Sequence, residues 1–133
     1  MSVRVLVADD QLVARRALRN FITVQGRDWQ VCAEASSGAE AVEQAKAHRP
    51  DVVILDLAMG GLNGAEAAEQ IGYESPNTIV IATSLYDARP LLPRLHSVGV
   101  RGFIPKSRLG VDLVPAIEAA LKGRTWFKLS HMH

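Results

Sequence analysis

The sequence predicts an α/β domain, a five-stranded parallel sheet flanked by five helices, and three observations carry the prediction. Short β-rich runs alternate with segments of helical period, the pattern of βαβ units whose sheet is covered on both faces. Four apolar runs end in a polar residue suited to phosphate or a divalent metal. Val3 to Ala8 runs into Asp9-Asp10, Val52 to Leu55 into Asp56, Ile79 to Ala82 into Thr83, and Gly102 to Pro105 into Lys106. Ligands of a parallel α/β sheet bind outside the carboxyl ends of its strands, so these endings are expected to converge. The third observation is length: 133 residues make one domain, which buries roughly two-thirds of the surface its unfolded chain exposes.

The first strand is Val3–Ala8. After Asp10, the positions Val13, Ala14, Ala17, Leu18, Phe21 and Ile22 form one helical stripe, leaving Arg15, Arg16 and Arg19 to solvent. The second strand, Trp29–Ala35, leads to a helix with its own start signal, because Ser37 followed by Glu40 is a capping box. That helix should end before Pro50. The third strand is Val52–Leu55, and a short helix follows from near Asn63 to about Gly72. Pro90 and Pro93 lie between the fourth strand, Thr78–Ala82, and the fifth, Gly102–Ile104. A helix begun before Pro93 loses a hydrogen bond and clashes there, so the fourth helix is expected to be short and late-starting. In the fifth, Asp112 is read as the cap and Pro115 as a first-turn residue, with Leu113, Val114, Ile117, Ala120 and Leu121 facing inward. Residues 1–124 are taken as the domain and 125–133 as a tail, either a linker or a cloning remnant. Packing on the domain, an interface and a missing partner all stay open for Trp126 and Phe127.

A formal net charge of +1 is too small for the broad positive field of nucleic-acid or membrane-surface binders. With one cysteine, Cys32, no internal disulfide can form, and a buried, inert thiol in a reducing compartment is expected. The amino terminus carries no apolar signal segment and no run approaches a membrane span, which makes the expected location the cytoplasm.

An acidic pair after a strand is often only a solvated turn, and a Thr or Lys at a strand end is usually polar edging. Their joint occurrence at four strand ends, each with a residue type the same reaction needs, is what points to phosphoryl chemistry. Carboxylates crowded together raise one another's pKa unless a cation sits between them. Mg²⁺ suits such a site because it binds through one or two carboxylates and accepts phosphate oxygens. Asp56 is then the nucleophile forming an aspartyl phosphate, with Lys106 and Thr83 holding the equatorial oxygens.

The stretches Val5-Leu6-Val7-Ala8-Asp9-Asp10, Asp51-Val52-Val53-Ile54-Leu55-Asp56-Leu57, Ile81-Ala82-Thr83-Ser84 and Gly102-Phe103-Ile104-Pro105-Lys106-Ser107 closely resemble the receiver domain of bacterial two-component response regulators. The resemblance runs from about Val3 to Leu121 and implies a flavodoxin-like, doubly wound fold. It implies that Asp56 accepts a phosphoryl group from the phosphohistidine of a sensor kinase or phosphotransfer protein. By position, Asp10 and Asp56 resemble direct Mg²⁺ ligands, Asp9 a ligand through water, and Ala58 the residue lending its backbone carbonyl. Thr83 resembles the hydroxyl that moves onto the phosphoryl group, Lys106 its ion-pair partner, and Phe103 the aromatic switch that turns inward with it. What is implied is not an enzyme acting on outside substrates but a phosphoacceptor that promotes its own phosphoryl transfer and dephosphorylation. The endings at Phe103–Ser107 and Lys122–Trp126 look most like regulators with a LuxR-type helix-turn-helix output. Too few residues follow the fifth helix to build that unit, so direct DNA binding by this chain is not expected. A missing output domain and a homodimer are both open.

Departures from the family pattern are as informative. Gly60 stands where proline is usual, so the Gly60-Gly61 loop is expected to be more mobile. Ser107 stands where proline often follows the lysine; a cis bond there would cost about 2.5–4 kcal/mol, so trans is expected. The alternative function is a receiver-fold interaction module that signals without phosphate, although all five polar site residues are present. A phosphatase using an Asp nucleophile needs a second carboxylate two residues on, where this chain has Ala58. Gly60-Gly61-Leu62-Asn63-Gly64 is not a dinucleotide fingerprint and follows the wrong strand.

Overall fold

Val, Ile and Leu crowd the predicted strands, and all five form. In a computed structural model that describes residues 2–59 and 63–127, β1 (Val3–Ala8), β2 (Trp29–Ala35), β3 (Val52–Asp56), β4 (Ile79–Ser84) and β5 (Gly102–Pro105) make one sheet in the order β2-β1-β3-β4-β5. Every pairing is parallel. Because side chains alternate across a strand, Leu6, Val53, Leu55 and Phe103 enter one buried layer and Val5, Val7, Ile54 and Ile104 the other. α2 (Gly38–His48), α3 (Gly64–Glu74) and α4 (Leu92–Ser97) cover the first layer; α1 (Leu12–Thr23) and α5 (Leu109–Leu121) cover the second. Strand order reverses between β1 and β3, which opens the crevice at their carboxyl ends.

Three strands run further than the sequence suggested, β5 by the single residue Pro105. β3 takes in Asp56, and β4 starts at Ile79 and continues through Thr83 and Ser84. Thr78 is left out: its N–H turns back to the Ser75 carbonyl at 3.0 Å, and its hydroxyl donates to the Pro50 carbonyl at 2.7 Å. The stripe of α1 is also narrower. Leu18 and Ile22 are buried, but Val13 is 82% exposed, and Ala17 lines an open cleft of about 340 Å³ between α1 and the start of α5. Arg15 does not face solvent as its helical position suggests. Its side chain is only 16% exposed, because the long stem folds back over the sheet edge toward Glu34.

The capping box of α2 forms with a shift of one residue. Ser37 Oγ accepts the Glu40 N–H at 3.1 Å, while Glu40 Oε1 accepts the N–H of Ser36 at 2.6 Å. Asn63 caps α3, accepting from the Glu66 N–H at 2.9 Å, and the helix passes through Gly72 to Glu74. The fourth helix is short and late, as the prolines require: a 3-10 turn over Arg89–Leu91 takes Pro90, and α4 takes Pro93 in its first turn. α5 corrects the sequence reading. It starts at Leu109, directly after a 3-10 turn over Lys106–Arg108, and Asp112 is a buried first-turn residue approached by Arg108 at 3.4 Å rather than a cap. Pro115 therefore lies inside the helix. The bond it cannot make would go to the Val111 carbonyl, and Val111 is exposed, so water can serve that group instead.

The chain after α5 returns to the sheet. The Trp126 N–H donates to the Arg101 carbonyl and the Phe103 N–H to the Trp126 carbonyl, both at 2.9 Å, which places Trp126 parallel to β5 along its outer edge. Phe127 packs on His96 with 4.2 Å between ring centroids. Both aromatics thus pack on the domain. No peptide bond of the described residues is cis, Lys106–Ser107 included. Cys32 is half-buried, and burial pushes its thiol above the ordinary value. No described helix is long and apolar enough to cross a membrane. The Gly60-Gly61 loop and the tail beyond Phe127 lie outside the described residues.

Candidate functional site

Register brings the polar endings together. Asp56 on β3 stands opposite Thr83 on β4, and Thr83 opposite Ile104 on β5. Asp9 follows β1, the other neighbour of β3, and Lys106 follows β5. Lys106 reaches across the sheet end: its Nζ donates to Asp9 Oδ2 at 2.8 Å and to Asp56 Oδ2 at 3.1 Å. The three side chains are 13%, 5% and 3% exposed respectively, so water screens these contacts weakly. Burial alone would lower the Lys106 ammonium, but hydrogen bonds and charge from Asp9 and Asp56 outweigh it and raise it above its ordinary value. It is a fixed cation.

The remaining oxygens are held by the backbone. Asp56 Oδ1 accepts the Ala58 N–H, and Asp9 Oδ1 the Gln11 N–H, each at 2.9 Å. Asp10 is exposed, yet carboxylate oxygens of Asp9, Asp10 and Asp56 lie within 4.8 Å of one another. Such a set of hard oxygen donors fits Mg²⁺, which needs few protein ligands and keeps water or phosphate in its other positions. The chemistry of the donors, two carboxylates already sharing one cation, supports the fit.

Thr83 is buried, and its Oγ1 has no hydrogen-bond partner among the described residues. Leaving a buried hydroxyl unpaired costs about 1–3 kcal/mol. The Phe103 ring is buried in the layer under α4, on the strand position paired with Ala82. Ala58 is exposed in the turn after β3, and Leu85, two residues after Thr83, is 72% exposed.

The sequence reading missed three contributors, Arg15, Glu34 and Arg19. Arg15 Nη1 donates to the Asp9 carbonyl at 2.9 Å and Arg15 Nε to Glu34 Oε1 at 2.9 Å. Arg19 Nη1 donates to Glu34 Oε2 at 2.6 Å. Burial would raise the Glu34 carboxyl, but the hydrogen bonds from Arg19 and Arg15 prevail and hold it below its ordinary value. The available signal was a charged residue inside a β-rich run beside the strand that ends in Asp9.

A doubly wound sheet that gathers acidic, hydroxyl and ammonium groups at its carboxyl edge has the arrangement of a phosphate-handling signalling domain. The chain belongs to the response regulator receiver domain family, whose model matches residues 5–118. It is similar to the transcriptional regulatory protein PdtaR of Mycobacterium tuberculosis, 36% identical over 118 residues that cover 89% of this chain and 56% of that protein. The Bacillus subtilis transcriptional regulatory protein LiaR is 37% identical over 122 residues, 91% of this chain and 57% of LiaR. The chain thus spans a little over half the length of these curated relatives. Among solved structures, a LuxR family two-component response regulator from Aurantimonas sp. SI85-9A1 superposes with a TM-score of 0.87 at 27% identity, covering 95% of this chain and 89% of that one. The signal receiver domain of NarL from Mycobacterium tuberculosis gives 0.84 at 35% identity, covering 92% and 98%. Family membership makes this a receiver domain of two-component signalling and implies phosphorylation-dependent output. It agrees with the expected likeness to LuxR-class regulators.

Proposed function

We propose that Asp56 accepts a phosphoryl group from the phosphohistidine of a sensor kinase or phosphotransfer protein, and that the modified domain presents a changed interaction surface. The observation that carries this is the buried Thr83 hydroxyl beside Asp56, without a partner among the described residues. A phosphoryl oxygen on Asp56 would supply the acceptor it lacks. An Asp56 carboxylate oxygen bonds to phosphorus as the phosphorus–nitrogen bond breaks; the electron pair stays on the imidazole nitrogen, which takes a proton from solvent. Lys106, already directed at Asp56 Oδ2, offsets the charge that spreads over the phosphoryl oxygens. Asp10, Asp56 and the Ala58 carbonyl would hold Mg²⁺, with Asp9 acting through water; the ion supplies charge neutralisation at the phosphoryl oxygens.

Movement of Thr83 toward the phosphoryl group would leave space behind it; Phe103 on the adjacent strand already sits inward, so it would respond by shifting within the core rather than by the inward turn the resemblance implies. The output would be carried by a domain outside this chain, in keeping with the greater length of the relatives. The test is labelling with acetyl phosphate, read by intact mass with and without Mg²⁺. One phosphoryl group should appear only with the metal, and Asp56→Asn should abolish it. Absence of labelling in the parent would favour an interaction module that works without phosphate.

A further inference from the structure

We propose that Arg15, braced by Glu34, is a positioning residue for the divalent metal, acting through the peptide that joins Asp9 to Asp10. The proposal rests on the phosphoacceptor reading above. Asp9 is fixed by its side chain, which takes the Gln11 N–H and the Lys106 ammonium, and by its own N–H, which donates to the Ala35 carbonyl at 3.0 Å. Asp10 has no such restraint: it is exposed, and its carboxylate has no hydrogen-bond partner among the described residues. The peptide plane that leads to it therefore decides where its carboxylate points. A peptide is planar, so holding its carbonyl oxygen also sets the direction from which the Asp10 Cα departs. Arg15 Nη1 holds that oxygen at 2.9 Å.

Glu34 has two effects on the guanidinium. It fixes the Nε side of the fork, so that Nη1 stays on the Asp9 carbonyl, and its negative charge offsets a cation that would otherwise repel a metal nearby. Arg19 holds the second Glu34 oxygen and prevents the carboxylate from turning away. Partners that orient metal ligands in this way typically change metal affinity by about 10–100-fold when removed.

The experiment titrates Mg²⁺ into ¹⁵N-labelled protein and follows amide shifts around the pocket, with shifts at distant strands reporting that the fold is intact. Arg15→Met should weaken Mg²⁺ binding about ten-fold, and Glu34→Gln should weaken it in the same direction. The double variant should bind no more weakly than Arg15→Met alone, because the two residues act through one contact. Exposed Arg16, mutated to Met, should bind as the parent does. In acetyl phosphate labelling, Arg15→Met should raise the Mg²⁺ concentration for half-maximal rate while leaving the rate at saturating Mg²⁺ near the parent's. Parent-like Mg²⁺ affinity in a folded Arg15→Met protein overturns the proposal, as do additive losses in the double variant. If Arg15→Met does not fold, Arg15→Lys, which cannot serve both partners at once, and Glu34→Gln decide in its place. A parent that binds Mg²⁺ but is never labelled defeats the phosphoacceptor reading, while the Mg²⁺ titrations still judge Arg15.

Discussion

Thr83 separates the resting stability of the domain from its signalling. Its hydroxyl is buried and unpaired among the described residues, so replacing it by a methyl group of similar shape removes a penalty rather than an interaction. Thr83→Val should raise the unfolding free energy by about 1 kcal/mol in urea titrations, while Asp56 is still labelled by acetyl phosphate. Loss of stability in that variant would mean that the hydroxyl is satisfied in solution. The lifetime of the label depends on neighbours that offer water nothing: neither Ala58 nor Leu85 can orient an attacking water through its side chain. Ala58→Asn combined with Leu85→Glu should therefore speed loss of phosphate, since positioning supplies part of the barrier reduction. An unchanged rate at matched Mg²⁺ would place the control of that water elsewhere.

At the scale of the element, strands were the most legible, because apolar runs with polar endings need only sequence order to be placed. Helix ends were less so. Asp112 looks like a cap in sequence, yet the turn at Lys106–Arg108 passes directly into α5 and carries Pro115 into its interior. Arg15 was misplaced for another reason: helical periodicity locates a Cβ, not the end of a long stem that curls back to a carboxylate on β2. That pairing between α1 and β2 has a pH signature. Glu34 is held below its ordinary 4.5 in the fold, so the folded state binds protons less readily than the unfolded one. The pairing's contribution is present above about 4.5 and is lost as pH falls through the lower, folded-state value. Stability measured between neutral and acidic pH should fall less steeply in Glu34→Gln than in the parent. Parallel curves would show that the ion pair contributes nothing in solution.

At the scale of the whole molecule, the site is a consequence of topology: the adjacency β1-β3-β4-β5 is what brings Asp9, Asp56, Thr83 and Lys106 to one edge. Their convergence was legible because the parallel reading fixes which strand ends share an edge; the return of Trp126 to β5 was not, since a single bridging residue has no period. A Cβ on Gly102 would lie 3.2 Å from the Trp126 carbonyl oxygen and 3.4 Å from its Cβ. Gly102→Val should thus push the segment off the edge and speed hydrogen exchange at the Phe103 amide, which donates to Trp126. Unaltered exchange would show that the segment does not protect that strand. Every proposed step of the switch depends on the residue that carries the phosphoryl group. Borohydride reduces an acyl phosphate to an alcohol, so trapping after acetyl phosphate treatment followed by peptide sequencing reads the modified position directly. Homoserine at position 56 alone, dependent on Mg²⁺, is the predicted result; reduction at another carboxylate, or at none, would contradict it.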